Sequence, residues 1–242
     1  YESWYGGCDF VKDDENLTNQ RFCPFEDRVV KVLDALDRAE SETGEKKLYA
    51  PNITGVNMTE RAQFVKDHGG ACIMVDILVA GFSKVQEIRD QGFNMIIHGH
   101  RAMHAAMTRY ERHGISMPVL SLLSRLSGID QLHIGSVVGK MEGELTEVLK
   151  NKEKIVSDLF GMNPCFPVNS GGLHPGHIPE IVQFMGDDTI IQAGGGIHGH
   201  PDGTINGATA MRQAVDAVME GISLQEYSKT HVELRRALEK WQ

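Results

Sequence analysis

At 242 residues with 41% hydrophobic content, the chain can bury one large core, and a formal net charge of −9 with a pI near 5.6 leaves no basic face for a nucleic-acid partner. Four scattered cysteines (Cys8, Cys23, Cys72, Cys165) form no zinc motif or disulfide framework, which fits a reducing, cytoplasmic setting. No apolar run nears the roughly 18 residues that a membrane span needs, and no signal-peptide pattern is present.

In chain order, residues 1–5 read as the tail of a helix, and a start at Tyr1 rather than methionine marks the chain as a piece of something longer. Short apolar runs rich in β-branched residues then recur at 8–11, 47–53, 71–79, 95–100, 131–136, 165–169 and 189–193, each the pattern of a buried strand. Between them lie stretches with helical periodicity at 25–43, 59–68, 84–91, 102–113, 117–126, 145–159, 178–184 and 208–220. Strand and helix in alternation with short links mean βα units and a parallel sheet. Seven strands apolar on both faces predict an α/β fold, a (β/α)8 TIM barrel that is incomplete, its first strand lying before Tyr1. A doubly wound open sheet is the alternative.

Polar residues gather where such a barrel keeps its chemistry, at the carboxyl ends of the strands. Lys12, Asp14 and Glu15 end the first, then come Asn52, Asp76, His98 with His100 and Arg101, His133, Ser170 with Gly171 and Gly172, and Gly194, Gly195 and Gly196. Alternation along a strand turns Lys12 and Asp14 the same way, which suits a hard divalent cation, although from these residues alone a solvated ion-pair cluster is the plainer reading. The two glycine clusters are suited to wrapping a phosphate with backbone N–H groups, against the plainer reading of tight turns. His98 and His100 allow three readings: a metal pair, a histidine satisfied in the core (His98), or His100 as general acid or base beside Arg101 as a phosphate clamp, with His133 joining that clamp. His104 reads as a supporting residue. Glycines at both ends of 135–144 make a candidate lid with Lys140 at its tip, the plainer reading being an exposed loop.

The stretches Gly6 to Asn16, His100 to His104, His133 to Glu144, Ser170-Gly171-Gly172 and Gly194-Gly195-Gly196 together resemble the large subunit of ribulose bisphosphate carboxylase/oxygenase, RuBisCO, over nearly the whole chain. Gln131-Leu132-His133, 171–177 and 196–203 look most like the archaeal-type branch, form III or II/III, which is associated with nucleotide salvage. The resemblance implies that residues 1–242 are part of the C-terminal catalytic barrel domain, without the N-terminal α/β domain. It implies addition of CO2, or O2, to ribulose 1,5-bisphosphate through a magnesium-stabilised enediolate, giving 3-phosphoglycerate. Lys12 resembles the lysine that an activator CO2 carbamylates to bind Mg2+ with Asp14 and Glu15, the carbamate then serving as base. His100 resembles a proton-transfer residue, Arg101 and His133 one phosphate site, and Gly171, Gly172, Gly194 and Gly195 the other. Ser170 resembles a contact to a substrate hydroxyl, and Lys140 the lid lysine that orients CO2. The implied partner is a second large subunit whose N-terminal domain completes the site, in a homodimer or larger assembly.

Some positions depart from the family pattern. The first barrel strand, with its catalytic lysine, precedes the chain, so the fragment alone is expected to be inactive. The connection at 159–166 is short by roughly twenty residues. Asn169 and Ala193, beside the glycine clusters, stand where a small and an aromatic residue are expected, which would retune that site. The alternatives are a RuBisCO-like enolase or isomerase of a phosphorylated sugar in sulfur salvage, and a non-catalytic remnant. Retention of Lys140, Arg101, His133 and Ser170 favours the carboxylase.

Overall fold

The computed structural model describes residues 1–110, 112–138 and 142–241. It begins with helix α1 (Glu2–Tyr5), followed by β1 (Phe10–Lys12), α2 (Phe25–Thr43), β2 (Leu48–Ala50), α3 (Met58–Asp67), β3 (Cys72–Asp76), α4 (Ile77–Ala80), α5 (Phe82–Asp90) and β4 (Ile96–His100). Next come α6 (Ala105–Thr108), α7 (Met117–Leu126), β5 (Gln131–Gly135), α8 (Glu142–Val156), β6 (Phe166–Ser170), α9 (Ile178–Met185) and β7 (Ile190–Gln192). The chain ends in α10 (Gly195–His198), α11 (Thr204–Met219), α12 (Leu224–Tyr227) and α13 (Val232–Lys240).

The strands are all parallel and neighbour one another in chain order. β1 pairs with β2, β3 to β7 form one sheet, and the two are joined at Asn52 and Met74, where Ile53 N–H donates to Met74 O (3.0 Å) and Met74 N–H to Pro51 O (2.8 Å). Alternation divides the strand residues into two sets. Ile73, Val75, Ile97, Leu132 and Ile134 pack outward in one core with residues of α2, α3, α5, α8 and α9. Ala50, Cys72 and Met74 form a separate inner cluster with Phe10, Leu48 and Ile96. Two cores on opposite faces of one curved sheet are what a barrel ringed by helices requires.

The expectation that all seven strands are buried on both faces is corrected at the two ends: β3 and β5 are buried throughout, whereas β1 and β7 are half-buried along their whole length. Among the described residues no strand lies between β7 and β1. The outer ring is nevertheless continuous there, because α11 packs on α1. Thr209 Oγ1 donates to Gly6 O (3.1 Å), Arg212 Nη2 donates to Gly7 O (2.8 Å), and a Cβ on Gly6 would lie 2.4 Å from Ile205 O.

Several boundaries differ from the sequence reading, two of them for a local reason. The apolar run 71–79 leaves the sheet at Asp76 and turns into α4, since periodicity cannot separate a buried strand from a buried helical turn. The helix read at 102–113 shrinks to α6, because Met103 takes φ +68° and Gly114 φ +146°, with Ile115 N–H folding back onto Met107 O. Helices α12 and α13 were not foreseen; they cover the apolar face of α11. The short connection after α8 is held by buried Arg125, which donates to Ser157 O, Met162 O and Asn163 O.

Backbone contact binds the segments after β6 and β7. A Cβ on Gly196 would sit 2.0 Å from Leu173 O, whereas one on Gly194 meets nothing within 4 Å. Gly196→Ala should therefore destabilise the protein by about 3 kcal/mol and Gly194→Ala by almost nothing, compared by urea unfolding. Equal midpoints for the two variants would refute this packing.

Candidate active site at the barrel mouth

The loop after β1 is shaped by a carboxylate that points away from the mouth. Asp13, buried, accepts hydrogen bonds from Arg28 Nε (2.9 Å), Tyr49 OH (2.7 Å) and Asn52 N–H (2.9 Å). Arg28, on α2, also donates to Cys23 O and Thr18 O, tying the 17–23 loop to the same point. Asn52 Nδ2 completes the frame by donating to Glu15 O (2.9 Å). With Asp13 anchored in the wall, its neighbours face the mouth.

Lys12 Nζ donates to Asp13 O (2.8 Å) and lies 3.6 Å from Glu15 Oε2. Glu15 Oε2 is 3.7 Å from His100 Nε2, and His100 Nδ1 is 3.2 Å from Asp76 Oδ1. Asp14 is exposed, and its pKa is lowered, first by the Asn16 N–H bonded to its Oδ1, with Lys12 and His100 adding attraction from nearby. The structure thus brings Lys12, Asp14 and Glu15 after β1 near His100 at the end of β4, across β2 and β3. Among the described residues no three His, Cys, Asp or Glu side chains converge to hold a metal ion, so two carboxylates must be supplemented. A carbamate on Lys12, whose Nζ donates to Asp13 O and lies near Glu15, would supply further oxygen donors. On that condition the donor set fits a hard divalent cation.

Beside this cluster the inward faces of β4, β5 and β6 carry a second polar line. His98 Nδ1 meets Gln131 Oε1 (2.8 Å), His98 Nε2 meets His133 Nε2 (2.9 Å), and His133 Nδ1 meets Ser170 Oγ (2.9 Å). Burial pushes the His98 pKa down to about 3 and holds His133 well below its ordinary value. The core role read for His98 is what the structure gives, and His133 is not a free imidazole but is bonded at both nitrogens. Arg101 lies against Gly135 of β5, where a Cβ would come 3.1 Å from its Nη2. Its guanidinium has no hydrogen bond among the described residues, and burial lowers its pKa. His104 Nδ1 approaches Arg101 O (3.1 Å), in keeping with a supporting place.

The glycine segments after β6 and β7 adjoin each other, where a Cβ on Gly196 would meet Leu173 O. Gly171 (φ +114°) and Gly172 (φ +65°) need their glycine conformations, and with Gly194 and Gly195 they have open space where a Cβ would be. Asn169 does not join them. It is fully buried, and its Nδ2 donates to Thr189 Oγ1 (2.7 Å) on the outer side, so this departure leaves the mouth untouched. Ala193 likewise packs among apolar residues. Lys140 lies outside the described residues. Sequence reasoning missed Arg28, Tyr49 and the anchoring role of Asp13, and gave Gln131 no part. The one available signal was an arginine beside the apolar stripe of α2.

Fold and site together define a β/α barrel whose strand ends carry a lysine beside carboxylates after β1 and open glycine turns after β6 and β7. The family model for the ribulose bisphosphate carboxylase large chain, catalytic domain, matches residues 1–241, and the chain belongs to that family. It is 53% identical to the ribulose bisphosphate carboxylase of Methanocaldococcus jannaschii over all of this chain and 60% of that protein. The crystal structure of octameric ribulose-1,5-bisphosphate carboxylase/oxygenase from Pyrococcus horikoshii superposes with a TM-score of 0.95 at 48% identity, over 99% of this chain and 59% of that one. A rubisco-like protein from Burkholderia fungorum is more distant in sequence, with 32% identity, a TM-score of 0.90 and coverage of 98% of this chain and 60% of that one. The chain thus spans about three fifths of these relatives' lengths. The alignment to the Methanocaldococcus jannaschii protein runs over 257 positions against the 242 residues of this chain, so that relative carries residues this chain lacks, whereas the alignment to the Pyrococcus horikoshii protein runs over 242. No helix among the described residues is long and apolar enough to cross a membrane.

Two outcomes follow from the buried charges. Arg28→Met strands the Asp13 carboxylate and should cost about 3–5 kcal/mol, read by chemical denaturation; a loss under 1 kcal/mol would disprove the anchor. His98 has a folded pKa near 3 against about 6.5 when unfolded, so below pH 6.5 the unfolded chain binds the extra proton. Stability should fall as pH drops from 6.5 towards 3, and His98→Gln should flatten that slope in pH-dependent unfolding.

Proposed function

We propose that the protein is a ribulose-bisphosphate carboxylase of the archaeal type, with residues 1–242 belonging to its catalytic barrel. It would add CO2, or in competition O2, to ribulose 1,5-bisphosphate, the carboxylation giving 3-phosphoglycerate. The observation that carries this is the meeting at one barrel mouth of a carboxylate-flanked lysine and two separate places for anions. Greater identity to carboxylases than to the rubisco-like protein favours carboxylation over isomerisation.

Each residue's task follows from its surroundings. Lys12 Nζ, once neutral, bonds to the carbon of CO2 and sheds its surplus protons to solvent, turning a positive residue into a carbamate anion. The carbamate, Asp14 and Glu15 are the ligands this chain offers Mg2+. When bound, the ion supplies Lewis-acid polarisation of the substrate's carbonyl and hydroxyl oxygens. The carbamate also serves as base for enolisation. His100, whose Nδ1 accepts the Ala102 N–H (3.2 Å), has Nε2 on the side of Glu15, where it exchanges a proton with a substrate hydroxyl.

The substrate's two ends are bound differently. Arg101, close to His133 and without a hydrogen-bond partner among the described residues, meets one phosphate as a bidentate donor. Backbone N–H groups at Gly171, Gly172, Gly194 and Gly195 take the other, where open space lets the phosphate approach. Ser170 contacts a hydroxyl between them, and Lys140 orients the incoming CO2. Because the chain spans three fifths of its relatives, the activity is assigned to the full-length protein, with a second large subunit completing the site. Assembly as a homo-oligomer is supported by the octameric Pyrococcus horikoshii relative. The motifs at 131–133, 171–177 and 196–203 resemble a branch associated with nucleotide salvage, and four free cysteines fit a cytoplasmic setting.

The decisive assay is magnesium-dependent transfer of labelled CO2 into phosphoglycerate by the full-length protein. Lys12→Met should reduce it by at least about a thousandfold with the fold intact. Undiminished labelling would end the carbamate assignment, and turnover of a phosphorylated sugar without label would favour the isomerase instead.

A further inference from the structure

The line of side chains from Gln131 to Ser170 has a direction. A neutral imidazole has one N–H and one bare nitrogen, whereas an amide oxygen only accepts. The polar partners of His98 are Gln131 Oε1 and the His133 ring, neither of them an anion, and the ring is fully buried with Phe10 edge-on at 5.2 Å. Both nitrogens of His133 are likewise occupied by neutral partners. No carboxylate is among these hydrogen-bond partners, so nothing in the line offsets the cost of burying an imidazolium.

The protons then follow in order. Gln131 Oε1 accepts, so His98 carries its hydrogen on Nδ1. His98 Nε2 is bare and accepts from His133 Nε2–H. His133 Nδ1 is bare in turn and accepts the single hydroxyl hydrogen of Ser170. What remains on Ser170 Oγ is a pair of lone pairs.

We propose that Gln131 is a positioning residue: through His98 and His133, its amide oxygen fixes Ser170 as a hydrogen-bond acceptor toward the substrate. This rests on the carboxylase reading for the ligand's identity, but not for the direction of the line. An acceptor-only Ser170 binds a protonated hydroxyl and disfavours a carbonyl or an ionised oxygen at the same point. It thus selects the hydroxyl form of the sugar carbon it touches. With the amide turned over, every donor reverses and Ser170 donates instead. The selection therefore resides in one residue three side chains away from the ligand.

Neutron diffraction from crystals of the full-length protein without substrate reads the line directly. Deuterium is expected on His98 Nδ1 and His133 Nε2 and on Ser170 Oγ toward His133. Deuterium on His98 Nε2 and His133 Nδ1, or both tautomers mixed, would overturn the proposal whether or not the protein is a carboxylase. In kinetics, Gln131→Met should raise KM for ribulose 1,5-bisphosphate about fivefold, the worth of one neutral hydrogen bond, with kcat changed less. The same substitution in a Ser170→Ala background should add nothing, because its effect passes through Ser170. Additive effects would show a packing role and refute the positioning role. If Gln131→Met does not fold, the tautomers of the parent protein still decide.

Discussion

The arrangement at the barrel mouth hangs on one buried carboxylate. Asp13 takes three hydrogen bonds from α2, β2 and the turn after β2, and the charge of Arg28 makes its burial tolerable. Because Asp13 is pulled into the wall, the chain on either side of it is turned toward the mouth. Lys12 precedes it on the inward face of β1, and Asp14 and Glu15 follow on a loop whose backbone Asn52 grips. The cluster is exposed at one end, at Asp14, and braced at the other.

The mouth holds its charges and its neutral groups in separate lines. One runs Lys12, Glu15, His100, Asp76 and is made of ionisable side chains, with Asp76 nearly inaccessible. The other runs Gln131, His98, His133, Ser170 and is uncharged, sunk deeper in the barrel. A line of hydrogen-bonded neutral groups avoids the cost of desolvating ions that the first line meets at Asp76. The rings of His100 and His133 touch edge to face at 4.4 Å, so the two lines meet where a substrate would lie.

Much of this was legible in the chain alone. The strand positions, the helices at 25–43 and 117–126, and the polar strand ends could be read because a parallel barrel imposes a strict rhythm of apolar runs, and because its chemistry is confined to one rim. Residues adjacent in sequence, such as Lys12 with Asp14 and Glu15, declare themselves. Other features were not legible. That β1 and β7 are half-buried depends on what lies between them, and that the run at 71–79 bends at Asp76 depends on the space beneath Gly99, where Ile77 packs.

By itself the sequence determined the repeating βα order, the rim on which the chemistry sits and the local cluster around Lys12, because these depend on neighbours within a few positions. Tertiary structure alone decided that Asp13 is an anchor while Asp14 faces the mouth, that Asn169 turns outward, and that Gln131 addresses Ser170 through two histidines. Those relations join residues from 15 to 39 positions apart, and a hydrogen bond's partner and direction exist only once the strands carrying both groups have been set side by side.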